Sequence, residues 1–274
     1  MPFLRHHASM IKLPLIGLGT WELRGRECTQ IVRQALDLGY RHIDTAHAYD
    51  NHKVVHKAIA GFDRSKLFIT SKFSLEQIDP AKIQKSVEKN CELALEELGT
   101  DYIDLYLIHW PNLDLPLGQI FKAMEKLASE GKILRAGVCN FTIHHLEDLR
   151  SEACNPAANQ VEFHPYLYQK ELLDYCRKHK IQLIAFRPLG KGKLLTDPLF
   201  KTIGERHKKS PAQVVLRWIV QKEIPVIPKA SSEKHLRENL EIFNFSLSDD
   251  EMRQLDALNK NMRFCKPEDP AFKY

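Results

Sequence analysis

Short apolar runs alternate with amphipathic stretches along the chain, and this alternation limits the fold more than any other feature. Apolar residues three and four positions apart in the intervening stretches, as in residues 81–98, predict helices. Eight runs predict strands, at residues 41–46, 67–72, 103–109, 133–138, 158–163, 181–186, 225–228 and 241–245. Strands that alternate with helices over 274 residues are typical of a closed α/β barrel, the (β/α)8 TIM barrel.

The main alternative is an open doubly wound sheet, which usually carries a Gly-x-Gly-x-x-Gly phosphate loop after its first strand. The nearest glycine pair, Gly17 and Gly19, precedes the first predicted strand and lacks a third glycine. No linker rich in Gly, Ser or Pro divides the chain, so residues 1–274 are predicted to form a single barrel domain. The pattern of residues 3–17 predicts an N-terminal β-hairpin cap over the bottom of the barrel.

The composition excludes several classes of protein. With 43% hydrophobic and 27% charged residues the chain is an ordinary globular one, neither collagen-like nor disordered. The net charge of +5 is a weak argument for nucleic acid and fits a local patch for a small anion as well. No stretch approaches the roughly 20 apolar residues of a membrane span. Six cysteines without a Cys-x-x-Cys pair predict free thiols and a cytoplasmic location.

Four chemically reactive side chains follow the first three predicted strands. Asp44 and Tyr49 follow the first strand, Lys72 ends the second and His109 ends the third. Because active sites of such barrels lie at this end of the strands, these side chains are expected to share one mouth. An ammonium group lowers the pKa of a neighbouring phenol, and a histidine can hydrogen-bond an oxygen that develops negative charge. The set predicts protonation of a carbonyl oxygen, with hydride supplied by a nicotinamide.

Six motifs, in order, resemble those of the aldo-keto reductases, specifically the bacterial type with short loops, and they span nearly the whole chain. They read LIGLGTW at 15–21, GYRHIDTA at 39–46, LIHWP at 107–111, GVCNF at 137–141, NQVE at 159–162 and IPKA at 227–230. The resemblance implies a reductase of the alcohol dehydrogenase/carbonyl reductase type that converts aldehydes and ketones to alcohols. It implies Tyr49 as the general acid, tuned by Lys72 and Asp44, while His109 orients the carbonyl group.

The resemblance also implies a site for NADP(H), and possible use of NAD(H). Asn140 and Gln160 would bind the nicotinamide amide, and Phe186 would stack on the ring. The other residues implied to contact the cofactor are Thr20, Asp44, Cys139, Arg187, Leu189, Gly190, Lys191, Lys229, Ser231, Ser232, His235, Glu238 and Asn239. Trp21 and Trp110, with Tyr49 and His109, would line the pocket for a small carbonyl substrate, and the resemblance favours a monomer.

Four positions depart from the family pattern, namely Cys139, Arg187, Ala230 and His235. Arg187 stands where a small polar residue is common, and Ala230 stands where serine is frequent. Cys139 stands where serine is usual, and a thiol is a weaker hydrogen-bond partner. His235 stands where the family often has the arginine that binds the 2′-phosphate, and a histidine is mostly neutral at pH 7. NADP is still predicted because Lys229 and Ser232 remain, with a modest preference over NAD.

Other functions remain open on the same residues. Lys72 is a candidate Schiff-base lysine of a lyase, and the fold also suits an NADP-binding regulatory subunit with little turnover. His52 and His56 have a spacing that can bind zinc, but no cysteine or acidic pair lies nearby, so no metal site is predicted. Short segments at 111–117 and 261–274 predict a shallow pocket open to varied aldehydes.

Overall fold

The computed structural model describes residues 13–266 and 268–273, and its centre is a parallel sheet that curves into a barrel. The sheet contains β1 (Leu18–Gly19), β2 (His42–Asp44), β3 (Phe68–Phe73), β4 (Leu105–Ile108), β5 (Ala136–Cys139), β6 (Ala158–Glu162) and β7 (Gln182–Phe186), paired in chain order. Val226 closes the ring, because it bridges Ala185 of β7 on one side and Ile16 on the other, both in parallel. The predicted (β/α)8 barrel is confirmed, with residues 225–228 in the eighth position.

Helices follow the strands. They are α1 (Gly25–Asp37), α2 (His52–Ile59), α3 (Ile83–Leu98), α4 (Leu117–Ser129), α5 (Ile143–Ser151), α6 (Lys170–Lys178), α7 (Pro198–His207), α8 (Pro211–Gln221), α9 (Glu233–Leu240) and α10 (Asp249–Asp256). Ser210 and Ser248 begin α8 and α10 through capping boxes with Gln213 and Glu251, which satisfy backbone N–H groups at both helix starts. Within the described residues, no helix is both long and apolar enough to span a bilayer.

Two strand assignments made from the sequence are wrong. Leu18 and Gly19, taken to precede the first strand, form β1 and pair with Ile43 and Asp44. Residues 241–243 form a 3-10 turn that continues from α9, with Ile242 buried, rather than a strand. A short apolar run does not distinguish a strand from a buried helical turn, and here packing against α8 decides the outcome.

Successive side chains of a strand point to opposite faces of the sheet, and this alternation separates two apolar clusters. Leu105 and Leu107 of β4 belong to a small inner cluster. Tyr106 and Ile108 belong to the large core between strands and helices. The hairpin predicted for residues 3–17 lies mostly outside the described residues, although Leu13 is fully buried in the inner cluster.

Candidate active site

The four reactive side chains predicted from the sequence meet at the carboxyl end of the barrel. Lys72 Nζ donates to Asp44 Oδ1 at 2.6 Å and to the Thr45 carbonyl oxygen at 2.9 Å. The same ammonium group lies 3.4 Å from the Tyr49 hydroxyl oxygen. The Tyr49 and His109 rings meet edge to face, with centroids 5.7 Å apart. The structure therefore brings together an acid, a cation, a carboxylate and an imidazole.

A buried asparagine holds the loop that carries Tyr49. Asn51 is 1% exposed; its Oδ1 accepts from the Thr45 hydroxyl at 2.6 Å and its Nδ2 donates to the Thr20 carbonyl oxygen at 3.0 Å. The Thr20 hydroxyl donates to the Asp44 carbonyl oxygen at 2.9 Å. Thr20, predicted to contact the cofactor, thus lies in this supporting network, in which Asn51 joins the end of β2 to the end of β1.

Burial is the largest single cause among those that shift the pKa values of Tyr49, Lys72 and His109. It raises the pKa of Tyr49 to about 12, although the Lys72 ammonium acts to lower it. Lys72 acts on this pKa in the expected direction, but desolvation is the larger effect. Burial acts to lower the pKa of Lys72, but the interactions with Asp44, Tyr49 and Cys139 together outweigh it and raise that pKa. Burial, then Lys72, lowers the pKa of His109 to about 3, so the imidazole is neutral at pH 7.

Two amide side chains border the reactive group, which consists of Asp44, Tyr49, Lys72 and His109. Gln160 Nε2 donates to Asp44 Oδ2 at 2.7 Å, so both carboxylate oxygens of Asp44 are engaged. Asn140 follows β5 with a left-handed φ of 66°, which asparagine tolerates better than most residues. Its Nδ2 donates to the His109 carbonyl oxygen at 3.0 Å and to Cys139 Sγ at 3.1 Å. The amides therefore support the reactive group while they face the cavity.

A cavity of about 500 Å³ opens above these residues, and one side of it carries aromatic rings and cations. Phe186 at the end of β7 lines it, with Trp21, Arg187, Lys191 and Lys229. The Arg187 guanidinium and the Lys191 ammonium each lie 4.7 Å from the Trp21 ring centroid. The cations Arg187, Lys191 and Lys229 in the lining favour an anionic ligand.

Besides Thr20, seven predicted cofactor residues lie outside the lining of this cavity, along the loop after β7 and around α9. They are Leu189, Gly190, Ser231, Ser232, His235, Glu238 and Asn239. Gly190 has a φ of 53°, and a Cβ there would lie 2.6 Å from the Phe264 ring. The Ser232 hydroxyl caps α9 by accepting the backbone N–H of His235 at 3.3 Å. Asn239 is 6% exposed, on the inner face of α9.

The C-terminal tail supplies three cavity residues that sequence reasoning missed, namely Phe264, Cys265 and Lys266. The buried Glu162 carboxylate accepts the backbone N–H groups of Phe264 and Cys265, each at 2.9 Å. Lys266 Nζ lies 4.3 Å from the Trp110 ring centroid. Because more than a hundred positions separate Glu162 from its partners, no local pattern signals this contact. The short tail thus forms one wall of the cavity.

Known reductases match this chain over most of its length. Residues 15–260 match the model of the Aldo/keto reductase family. The chain is 46% identical over 257 residues to glyoxal reductase of Bacillus subtilis, covering 92% of this chain and 91% of that one. It is 35% identical to aldo-keto reductase family 1 member A1 of Bos taurus, covering 93% and 89%. A solved structure of the aldose reductase from Schistosoma japonicum superposes with a TM-score of 0.86 at 33% identity, covering 94% of each chain.

Proposed function

Because this chain belongs to the aldo/keto reductase family, we propose that it reduces aldehydes and ketones to alcohols with a nicotinamide cofactor. One observation carries the proposal. The Tyr49 hydroxyl lies 3.4 Å from the Lys72 ammonium and beside the His109 ring, at the edge of a cavity large enough for a small substrate. A panel of aldehydes, ketones and sugars offered with NADPH tests it, and no turnover with any of them would contradict it.

Each residue of the reactive group has a separate task in this reaction. Tyr49 donates its proton to the carbonyl oxygen as the general acid. Lys72 stabilises the negative charge that develops on the phenol oxygen as the proton leaves. Asp44 holds Lys72 charged and in place through the 2.6 Å ion pair. Neutral His109 donates a hydrogen bond to the same carbonyl oxygen and orients it. A bound reduced nicotinamide supplies the hydride for the carbonyl carbon.

The residues around the cavity fit such a cofactor. Asn140 and Gln160 present amide groups beside the reactive residues, where a carboxamide can pair with them. Phe186 offers an aromatic face for a nicotinamide ring. Arg187 and Lys191 carry positive charge along the same wall, which suits a pyrophosphate.

We propose NADP(H) rather than NAD(H) as the preferred cofactor, because a further phosphate has partners near the start of α9. Lys229 is 37% exposed and only loosely paired with Glu22, at 3.7 Å. The N-terminus of α9, capped by Ser232, presents backbone N–H groups and the positive end of the helix dipole. If the unaltered protein binds NADH as tightly as NADPH, the preference is absent.

Substitution of His235 is expected to sharpen this preference. His235→Arg places a permanent cation and a fixed fork of donors on the exposed first turn of α9. We expect the Kd for NADPH to fall about tenfold, since hydrogen bonds to charged groups contribute roughly 1.5–3 kcal/mol, with little change for NADH. Fluorescence-quenching titrations with both cofactors measure this. Gln119→Arg on α4 adds the same charge at an exposed distant position and should change neither value.

The tail contact predicts a separate effect on substrate binding. Glu162→Gln leaves one oxygen to accept the N–H groups of both Phe264 and Cys265, so the tail should dock less firmly. We expect a several-fold higher KM for aldehydes and faster tryptic cleavage after Arg263. Glu268→Gln, at an exposed position of the same tail, is the matched control. Unchanged KM and unchanged cleavage in Glu162→Gln would rule out this anchoring role.

The Schiff-base alternative is weaker on these contacts. A lysine must lose its proton to attack a carbonyl carbon. Lys72 instead donates to Asp44 and Thr45 in a fully buried setting, and the Asp44 carboxylate raises its pKa. Borohydride trapping of a carbonyl substrate on Lys72 would reverse this judgement. A regulatory subunit would bind cofactor but show negligible turnover, which the substrate panel distinguishes.

A further inference from the structure

A second group of polar side chains lies behind the loop that carries Tyr49, outside the cavity described above. His47, His52 and Glu97 each offer one ligand atom, and these atoms all lie within 4.8 Å of one another. His47 begins the 3-10 turn that ends at Tyr49, His52 is the first residue of α2, and Glu97 lies in the last turn of α3. The reaction proposed above uses none of these three residues.

The central member of the group is already held in place. His52 is 2% exposed, and its Nε2 lies 2.9 Å from the Ser71 hydroxyl oxygen. Its Nδ1 faces Glu97 Oε2 at 3.2 Å. Histidines that bind metal commonly hydrogen-bond a second group through the other ring nitrogen, which fixes the orientation of the ring. Ser71 provides this contact on the side away from Glu97.

The two outer members of the group, His47 and Glu97, can adjust their side-chain positions. The His47 side chain is partly exposed and the Glu97 side chain is 21% exposed, so a solvated ion has access to both. Ligand atoms on one zinc ion lie about 3.3 Å apart, given bond lengths of about 2.0–2.2 Å and tetrahedral geometry. The three ligand atoms are at most 4.8 Å apart, so only small side-chain movements are needed to bring them to the separations found around one zinc ion, while His52 stays fixed.

We propose that His47, His52 and Glu97 form a three-ligand site for a divalent transition-metal ion of the Zn²⁺ class, with a fourth position left to water. Two imidazoles and one carboxylate are an established ligand set for Zn²⁺. The ligands come from three separate elements, so a bound ion ties the turn before α2 to α3. The proposal concerns binding alone and does not depend on the proposed reductase activity.

The site differs from the one that the sequence spacing suggests. His56 lies four residues after His52, yet its ring packs on Gly99, where a Cβ would lie 1.9 Å from the imidazole. His47 joins His52 instead, with ring centroids 6.2 Å apart. His56 is exposed on the same helix as His52, which makes it a matched control.

Calorimetric titration of the full metal-free chain with Zn²⁺ tests the proposal, because it needs neither cofactor nor substrate. We expect one tight equivalent in the unaltered protein. His47→Asn and Glu97→Gln are expected to weaken it at least about tenfold, since loss of an outer-shell partner alone costs 10–100-fold. Both positions are partly exposed, so these variants should fold, and circular dichroism verifies that. His52 is buried and is left intact.

Three controls separate this site from other zinc ligands. His56→Asn should keep the tight equivalent, and so should a His6→Asn, His7→Asn double variant. Lys53→Gln removes the 3.6 Å ion pair with Glu97 without removing a ligand, so it should bind at least as tightly. Bound Co²⁺ should show tetrahedral bands without the charge-transfer absorption of a thiolate.

The possible outcomes divide clearly. Loss of the tight equivalent in both His47→Asn and Glu97→Gln, with retention in the controls, supports the site. The proposal is overturned if the unaltered protein binds no Zn²⁺ tightly. It is equally overturned if either ligand variant binds as tightly as the unaltered protein, since the ion then lies elsewhere.

Discussion

Tyr49→Phe is expected to lower kcat for aldehyde reduction by about 10²–10⁴-fold, the usual contribution of a positioned general acid. The substitution removes only the hydroxyl group that faces Lys72 at 3.4 Å, while the ring keeps its edge contact with His109. The residues proposed to bind the cofactor are untouched, so the Kd for NADPH should stay within a factor of about two. Oxidation of NADPH measured under saturating aldehyde gives kcat, and fluorescence quenching gives Kd.

A matched substitution shows whether the loss is specific to this phenol. Tyr175 on α6 is partly buried and lies against the His179 ring in a tilted arrangement, with centroids 4.4 Å apart, away from the cavity. Tyr175→Phe should leave kcat unchanged. Equal kcat in Tyr49→Phe and the unaltered protein would remove Tyr49 from the mechanism while leaving the reductase assignment in place.

Lys72→Met is expected to lower the free energy of unfolding by about 3–5 kcal/mol, because it breaks a buried ion pair from one side. The Lys72 and Asp44 side chains are 0% and 3% exposed. Without the ammonium, the Asp44 carboxylate stays buried with Gln160 as its remaining side-chain donor among the described contacts. Reduction of aldehydes should also fall steeply, since the Tyr49 oxygen loses its cation. Urea denaturation measures the first effect.

A double variant isolates the cost of the unpaired charge. Asp44→Asn in the Lys72→Met background removes the buried charge, so it should recover a large part of the lost stability without recovering activity. Lys132→Met breaks solvent-accessible pairs with Glu92 and Glu130 and should cost at most about 1 kcal/mol. If Lys72→Met lowers the free energy of unfolding no more than Lys132→Met does, the Lys72–Asp44 pair does not stabilise the fold.

Much of the barrel could be predicted from the sequence, because strand and helix periodicities are local properties. Six of the predicted strands overlap strands of the sheet, and residues 225–228 occupy the closing position. The strand predicted at residues 241–245 is wrong because Ile242 and its neighbours are apolar for a different reason, namely the packing of a helical turn on α8. The two-residue strand β1 is too short to show a period of its own.

The members of the reactive group could also be predicted, because each stands at or just after the end of a strand. Asp44, Lys72 and His109 are placed by β2, β3 and β4, and in a parallel barrel those strand ends must meet. Their protonation could not be predicted in the same way. The pKa of Tyr49 depends on how completely the phenol is buried, and burial outweighs the neighbouring cation.

By itself the sequence determined the fold class, the family and which polar side chains follow the strands at the carboxyl end of the barrel, because these follow from periodicity, order and residue type along the chain. Only the tertiary structure decided which distant residues touch. In the tertiary structure the backbone of the tail donates to Glu162. His52 lies beside His47 and Glu97 rather than beside His56. Such contacts join separate elements, and their geometry follows from how helices and loops pack around the barrel, which no local pattern records.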